Sequence, residues 1–246
     1  MARDQRAGRG QYGTNWVQEP GSGLALSVVL YPEFLPARDA FRLNAAMATA
    51  VWEAIHALTG ENPAESGIRL KWPNDVIWLP PKAMPESPPS SATTDAQIGP
   101  AELGIVWRKL GGILLENGLA GQRVGHSIVG MGINVNQRSF PAALPNPGSL
   151  LQRDGEQRDP ALLAARICEA IERRYEQLAG GQWPACKRAY LQALDGYGEQ
   201  RWYAEPGGEP FTAVIAGVED SGELALEIGG TLRRFNFKSV ARIGEP

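Results

Sequence analysis

The sequence predicts an α/β (α+β) protein, with strands and helices combined along residues 1–195 and a small β-barrel after them. Three observations predict this. Ile68-Arg69-Leu70-Lys71-Trp72 alternates apolar and basic residues, the period of a half-buried strand, and Leu24 to Tyr31 and Ile113 to Leu115 are short apolar runs of strand length. Two stretches, 36–60 and 159–180, repeat apolar residues at steps of three and four, the period of an amphipathic helix. From Asp195 the pattern changes to short strands separated by Pro-Gly, Ser-Gly and Gly-Gly turns.

Composition narrows the function classes. A chain of 246 residues, 43% hydrophobic and 21% charged, can bury a sizeable core in one large domain with a small second one. A net charge of −3 gives no electrostatic reason to expect general nucleic-acid binding. Cys168 and Cys186 sit in helix-like stretches and offer neither metal spacing nor a disulfide framework, as expected in a reducing cytosol. His56 and His126 are isolated, so each is expected to be a packing or surface residue. No apolar run approaches the roughly 18 residues of a membrane span, and no signal peptide is expected.

The elements follow in order. Gly8-Arg9-Gly10-Gln11-Tyr12-Gly13 fits G-x-G-x-x-G, but a dinucleotide-binding turn needs a hydrophobic strand before it and a helix after it, and neither is expected here. Thr14-Asn15 stand where a P-loop requires Lys-Ser/Thr. What remains is a surface turn, or a mobile loop whose glycines let the backbone approach a ligand and whose Arg9 offers a bidentate donor. Leu24 to Tyr31 is a buried strand. Pro36 opens a long core helix with Leu43, Met47, Val51, Ala54 and Leu58 on one face and Gly60 at its end; Met47 and Trp52 read as packing residues. Pro73 ends the strand at 68–72, because proline lacks the ladder N–H. Asn74 and Asp75 then lie on a turn before the apolar run Val76 to Leu79. A cation, an amide and a carboxylate thus converge at one break between strands.

Pro80 to Pro100 is rich in Pro, Ser, Thr and Ala, without period, and the insertion bounded at 80–108 is expected to be disordered surface chain. Lys109 then stands at the mouth of a strand that Gly111 and Gly112 clear for a ligand or another backbone. His126 to Asn136 is a strand with small residues interleaved, and Phe140 to Leu150 a loop. Asp159-Pro160 cap a helix through Leu163, Ile167, Ile171, Tyr175 and Leu178, ended by Gly180-Gly181, and another helix runs from about Trp183 to Leu194. Strands follow at Arg201–Tyr203, Phe211–Val218, Leu224–Ile228 and Leu232–Phe237, about 50 residues suited to a small barrel. Arg233-Arg234 read as a solvated face.

Four of these stretches resemble, in order, the motifs of biotin protein ligases. Gln5, Arg9, Gly10 and Trp16 match Gln-x-x-Gly-Arg-Gly-x-x-Gly-x-x-Trp; Lys71 to Asp75 match Lys-Trp-Pro-Asn-Asp; Lys109 to Leu114 match Lys-(Leu/Ile)-(Ala/Gly)-Gly-(Ile/Val)-Leu; and Gly132-Ile133-Asn134-Val135 match the Gly-Ile-Asn-Val strand. The resemblance implies a mixed sheet flanked by helices, related to the class II aminoacyl-tRNA synthetases, with a Src-homology-3-like barrel at 196–246. It implies an ATP- and Mg²⁺-dependent reaction in which biotin becomes biotinyl-5′-AMP and is then passed to a lysine of a biotin carboxyl carrier protein, the acetyl-CoA carboxylase subunit. Lys109, Arg9 and Lys71 become the catalytic cations. Gln5, Arg9, Gly10, Gln11, Lys109, Gly111 and Gly112 become the biotin site; Trp16, Lys71, Asn74, Asp75 and Asn134 become the ATP site, with no metal-ligating set. Gln11 departs from the arginine often found there, keeping hydrogen-bonding capacity and losing a charge. The implied protein is cytoplasmic, binds neither nucleic acid nor membrane, and leaves a homodimer open. A lipoate ligase and a non-catalytic biotin- or carrier-binding module are the alternatives. The chain is further expected to be the type without a DNA-binding domain and to lack the family's upstream Ser/Thr-Thr-Asn strand and helix. That would expose a strand edge and weaken biotin at least tenfold.

Overall fold

The computed structural model describes residues 1–2, 5, 8–10, 15–80 and 107–243. The expected biotin contact Gln11 and most of the 80–108 insertion lie outside these residues.

Gly8–Arg9 (β1) and Asn15–Trp16 (β2) form a small antiparallel pair, with Gly8 opposite Trp16. Gly8 and Arg9 are therefore strand, and the next described element is a strand, not a nucleotide-binding helix. Glycine is required at position 8, since a Cβ would lie 2.6 Å from the Trp16 carbonyl oxygen.

The main sheet contains Leu24–Leu30 (β3), Ile68–Lys71 (β4), Asp75–Trp78 (β5), Arg108–Ala120 (β6) and Arg123–Ile133 (β7), in the order β3-β7-β6-β5-β4. Every ladder in it is antiparallel, which corrects the expected mixed sheet. The physical reason is connectivity: β4–β5 and β6–β7 are hairpins, and β5 returns beside β6. Two boundaries also move. Trp107 is buried against Ile77 and Leu79 and Arg108 begins β6, so the insertion stops short of them. β6 and β7 are long because the hairpin tip is held: Gln122 accepts from the Ala37 amide at 2.9 Å, and Arg123 donates to the Glu33 and Phe34 carbonyls.

The inward face of the sheet, including Leu24, Ile113, Val129, Met131 and Ile133, shares one core with three helices. These are Phe41–Thr59 (α1), Pro160–Ala179 (α3) and Trp183–Ala193 (α4). Pro36 does not begin α1; a separate 3-10 turn at Ala37–Asp39 precedes it. Gly60 ends α1 at φ 70°, the left-handed cap that glycine adopts without a Cβ penalty. Asp159 caps α3 by accepting from the Ala161 amide at 2.8 Å. A short helix at Leu150–Asp154 (α2), capped by Ser149, occupies the end of the expected loop. His56 is buried, in contact with the Trp52 carbonyl and the Ser66 hydroxyl at 2.8 Å each; His126 is exposed.

A second antiparallel sheet is formed by Gln200–Ala204 (β8), Phe211–Val218 (β9), Leu224–Ile228 (β10), Thr231–Phe235 (β11) and Ala241–Ile243 (β12), in the order β11-β10-β9-β8-β12. β12 was not expected; the strand placed at Leu232–Phe237 ends at Phe235, and Phe237 and Lys238 lie in the turn that follows it. The core of this sheet is continuous with that of the first. The β9–β10 turn docks on the helices. Asp220 accepts from Arg42 at 2.8 and 3.2 Å and from the Trp183 indole at 2.9 Å, with Lys187 at 3.5 Å.

Candidate functional site

On the outward face, register brings small residues together. Ala25 lies opposite Gly132, Ser27 opposite Gly130, and Gly112 opposite Gly132 from the other side. Side chains alternate across a strand, so these positions share one face, and their small size leaves a depression in it. This depression is the floor of a cavity of about 690 Å³. Its walls are the β1–β2 pair, the turn from β4 to β5, the start of β6, and Phe237 and Lys238 from the turn after β11.

The turn 71–75 supplies much of the site, and each of its residues has a different partner. The Lys71 ammonium lies over the Trp107 ring, 5.3 Å from its centroid. Burial pushes this ammonium below the ordinary lysine range; Asp75 and Asp195 oppose the shift, and Lys109 and Arg242 add to it. Trp72 points away, donating to the Gly222 carbonyl at 3.0 Å and meeting Phe237 edge to face. The Pro73 carbonyl accepts from Asn44 at 3.0 Å and from the Tyr190 hydroxyl at 3.3 Å. Asn74 is buried, donates to the Ile113 carbonyl, and accepts at its own carbonyl from the Ile113 amide at 3.0 Å. The Asp75 carboxylate pairs with the Lys109 ammonium at 2.7 Å.

Gly112 lies beside that ion pair; a Cβ there would be in ordinary contact, 3.4 Å from the Asp75 carboxylate and 3.6 Å from the Lys109 ammonium. Gly132 is needed for the indole of Trp16, whose ring would lie 2.5 Å from an added Cβ. Trp16 is thereby laid flat on the sheet as a wall of the cavity.

Of the residues singled out in the sequence, Gln5, Arg9, Gly10, Trp16, Lys71, Asn74, Asp75, Lys109 and Gly112 line this cavity. Arg9 is largely exposed and pairs with Glu116 at 3.7 Å. Gly111 and Asn134 are not among the lining residues. Gly111 packs beneath, where a Cβ would meet the Gly132 carbonyl at 2.6 Å. The Asn134 side-chain amide donates to the Lys109 and Gly148 carbonyls at 3.3 and 2.9 Å, while its side-chain oxygen is buried with no partner among the described residues. Asn134 therefore fixes the backbone that carries Lys109. Sequence reasoning missed Ser27, Glu116 and Gly130, which only strand register assigns to this face. It also missed Phe237 and Lys238, for which no local pattern exists.

Chemically, the site is a floor of small residues with four cations, Arg9, Lys71, Lys109 and Lys238, at its edges and two carboxylates, Glu116 and Asp75, paired with Arg9 and Lys109. It suits a ligand with an anionic centre and a flat ring. Among the described residues, no group of three or more His, Cys, Asp or Glu side chains could hold a metal ion, and no helix is long and apolar enough to cross a membrane.

Comparison with known proteins agrees with this chemistry. The chain is 29% identical over 230 residues to the bifunctional ligase/repressor BirA of Bacillus spizizenii, covering 92% of this chain and 60% of that protein. It is 28% identical over 233 residues to the biotin--[acetyl-CoA-carboxylase] ligase of Mycobacterium tuberculosis, covering 94% of this chain and 73% of that protein. Thus the chain spans about three fifths of the first relative and about three quarters of the second. The fold matches the biotin protein ligase of Aquifex aeolicus in complex with biotin and ATP, with a TM-score of 0.68 at 21% identity over 99% of this chain and 87% of that one. Residues 1–134, more than half of the chain and the whole run from the β1–β2 pair to Asn134, match the model of one family, and the chain belongs to it: the biotin/lipoate A/B protein ligase family.

Proposed function

We propose that this protein activates biotin with ATP as biotinyl-5′-AMP and transfers the biotinyl group to a lysine of a biotin carboxyl carrier protein. The observation that carries the reading is the placing of Lys71, Lys109 and Arg9 around one small-residue floor. In the first step an anionic carboxylate must approach an anionic α-phosphate. Cations held in place before the reaction stabilise the charge that gathers in the transition state more than they stabilise the separate substrates. Lys109 meets the incoming carboxylate by exchanging Asp75 for it. An anion beside Lys71 favours its charged form, offsetting the burial that lowers its pKa. Arg9 leaves its exposed pair with Glu116 and closes over the ligand with β1 and β2. Trp16 offers a flat face to the adenine. Gln5 and Gly10 border the ureido end, and Asn74 and Asn134 act through the backbone they hold.

Mg²⁺ fits this site as a companion of the polyphosphate. It takes one or two carboxylates plus phosphate oxygens, and Asp75 and Glu116 are the carboxylates of the described lining. When bound, it would neutralise the polyphosphate. We further read residues 1–195 as the catalytic domain, related to class II aminoacyl-tRNA synthetases, and 196–246 as a Src-homology-3-like barrel. The free cysteines suit a reducing cytoplasm, and β3, bordered only by the Ala2 bridge among the described residues, is the edge a second copy would use. The test is pyrophosphate exchange. Biotin-dependent exchange supports the reading, lipoate-dependent exchange would replace biotin as the substrate, and no exchange with biotin binding intact would make the protein a binder.

A further inference from the structure

Among the described residues, three glycines of the main sheet line the cavity: Gly112 on β6, and Gly130 and Gly132 on β7. Gly132 makes room for the Trp16 indole, and Gly112 lies beside the Asp75–Lys109 pair. Gly130 has no such neighbour. Among the described residues a Cβ there would meet the Leu114 carbonyl oxygen alone, at 3.7 Å, an ordinary contact. Its φ lies outside the left-handed region that glycine enters freely. Its pairing is regular, with Ser27 on one side, Leu114 on the other and no register shift at either. Crowding, backbone conformation and a bulge are therefore all excluded as reasons for glycine at 130. Yet glycine weakens a strand interior, because it has no side chain to pack and more conformational freedom to lose.

The space above Gly130 has definite borders. Along β7 it lies between Gly132, which is covered by Trp16, and the exposed Ile128; across the sheet it lies between Ser27 and Leu114. All of these line the cavity. Gly130 is thus a slot one residue wide in the floor, with an aromatic wall and two apolar ridges. Gly112 pairs with Gly132, two residues from Gly130, so Gly112 and Gly130 are diagonal neighbours about 7–8 Å apart. That is the reach of a valerate chain. An acid whose carboxylate meets Lys109 beside Gly112 therefore carries the far end of its chain to Gly130. We propose that Gly130 is a specificity-determining residue: its missing side chain is the seat for the fused-ring body of biotin, and it favours acids that end in such a body over acids with none. The assignment rests on the proposed function and deepens it.

Gly130→Ala and Gly130→Val are compared with the parent in the full chain. Both are expected to fold, with the melting temperature unchanged or raised by about 2 °C, because a side chain suits a strand better than none. Calorimetry should show biotin bound about tenfold more weakly by the alanine variant and at least about 100-fold more weakly by the valine variant, the scale of forcing methyl groups into a packed site. In pyrophosphate exchange the KM for biotin of Gly130→Ala rises in step, while kcat falls by less than about threefold, since the ring body lies away from the reacting carboxylate. Octanoate, a carboxylate on a chain without rings, is titrated at millimolar concentration, and the preference for biotin over octanoate should fall at least about tenfold in Gly130→Val. Three results would each overturn the proposal: unchanged biotin affinity in folded Gly130→Val, equal weakening of biotin and octanoate, or a lowered melting temperature in Gly130→Ala, which would make the glycine a requirement of the fold. A parent chain that binds no biotin would remove the proposed function and this assignment together. Biotin binding that weakens in the variants without any exchange would leave Gly130 in its role and remove the ligase reaction alone.

Discussion

Lys109 is the side chain on which most of the chemistry converges, and its position depends on its neighbours. Asp75 holds its ammonium, and Asn134 holds its carbonyl. Lys109→Ala is therefore expected to slow biotin-dependent pyrophosphate exchange by about 100-fold, the loss of one preorganised charge contact, with melting temperature little changed. An unaltered rate in the folded variant would give the role to another cation. Lys71 carries a different signature, because its pKa is depressed by burial. Between that depressed value and the ordinary value of 10.5, the unfolded chain binds more protons than the folded one, so stability rises with pH. The cost of burying the ammonium is full below the folded pKa and vanishes above 10.5. Lys71→Met should thus stabilise the protein most at neutral pH, with the advantage shrinking as the solution becomes alkaline. Urea unfolding at a series of pH values measures this, and a constant difference would contradict it.

The elements are joined by a few polar clamps, one of them at the β9–β10 turn. Asp220 receives Arg42 from α1 and Trp183 and Lys187 from α4. Its carboxyl is held below the usual carboxylate range: burial opposes this, and hydrogen bonds from Trp183 and Arg42 outweigh it. The pair is partly exposed, so its contribution is discounted for solvent screening. Asp220→Ala should cost about 1 kcal/mol, and Arg42→Ala a similar amount. The double variant should cost less than the sum, because both remove one interaction; strict additivity in urea unfolding would show that the clamp is not energetically coupled. At this scale the sequence was legible where local chemistry decides. Gly60 and Asp159-Pro160 mark helix ends, and alternation at Ile68–Lys71 marks β4, because caps and periodicity act within a turn or two of chain. It was not legible where distant pairing decides. β12 is three residues with no period of its own and exists because β8 offers an edge. The full length of β6 and β7 depends on Arg123 reaching Glu33 and Phe34. The same division holds in the site: the motifs announced Lys71, Asp75 and Lys109, while Glu116, Phe237 and Lys238 come to the cavity only through tertiary folding.

The two sheets and the helices share one hydrophobic core, so the molecule should unfold as one unit. Scanning calorimetry is expected to give a single transition. A chain ending at residue 195 loses the acceptor of Trp72, the Asp220 partner of Arg42, and Phe237 and Lys238 from the cavity wall. It should melt at lower temperature and lose pyrophosphate exchange; full exchange by this shortened chain would show that the second sheet is dispensable for chemistry. The turn at Lys71–Asp75 has a consequence for genetics as well. Its residues are anchored to Trp107, Gly222, Asn44 with Tyr190, Ile113, and Lys109 in turn. In a saturation library all five positions would score as intolerant, yet for five unrelated reasons. Second-site suppressors would separate them: revertants of a Trp72 allele would map to the far sheet, and those of a Pro73 allele to the helices. Alleles at Lys71 and Asp75 would yield none.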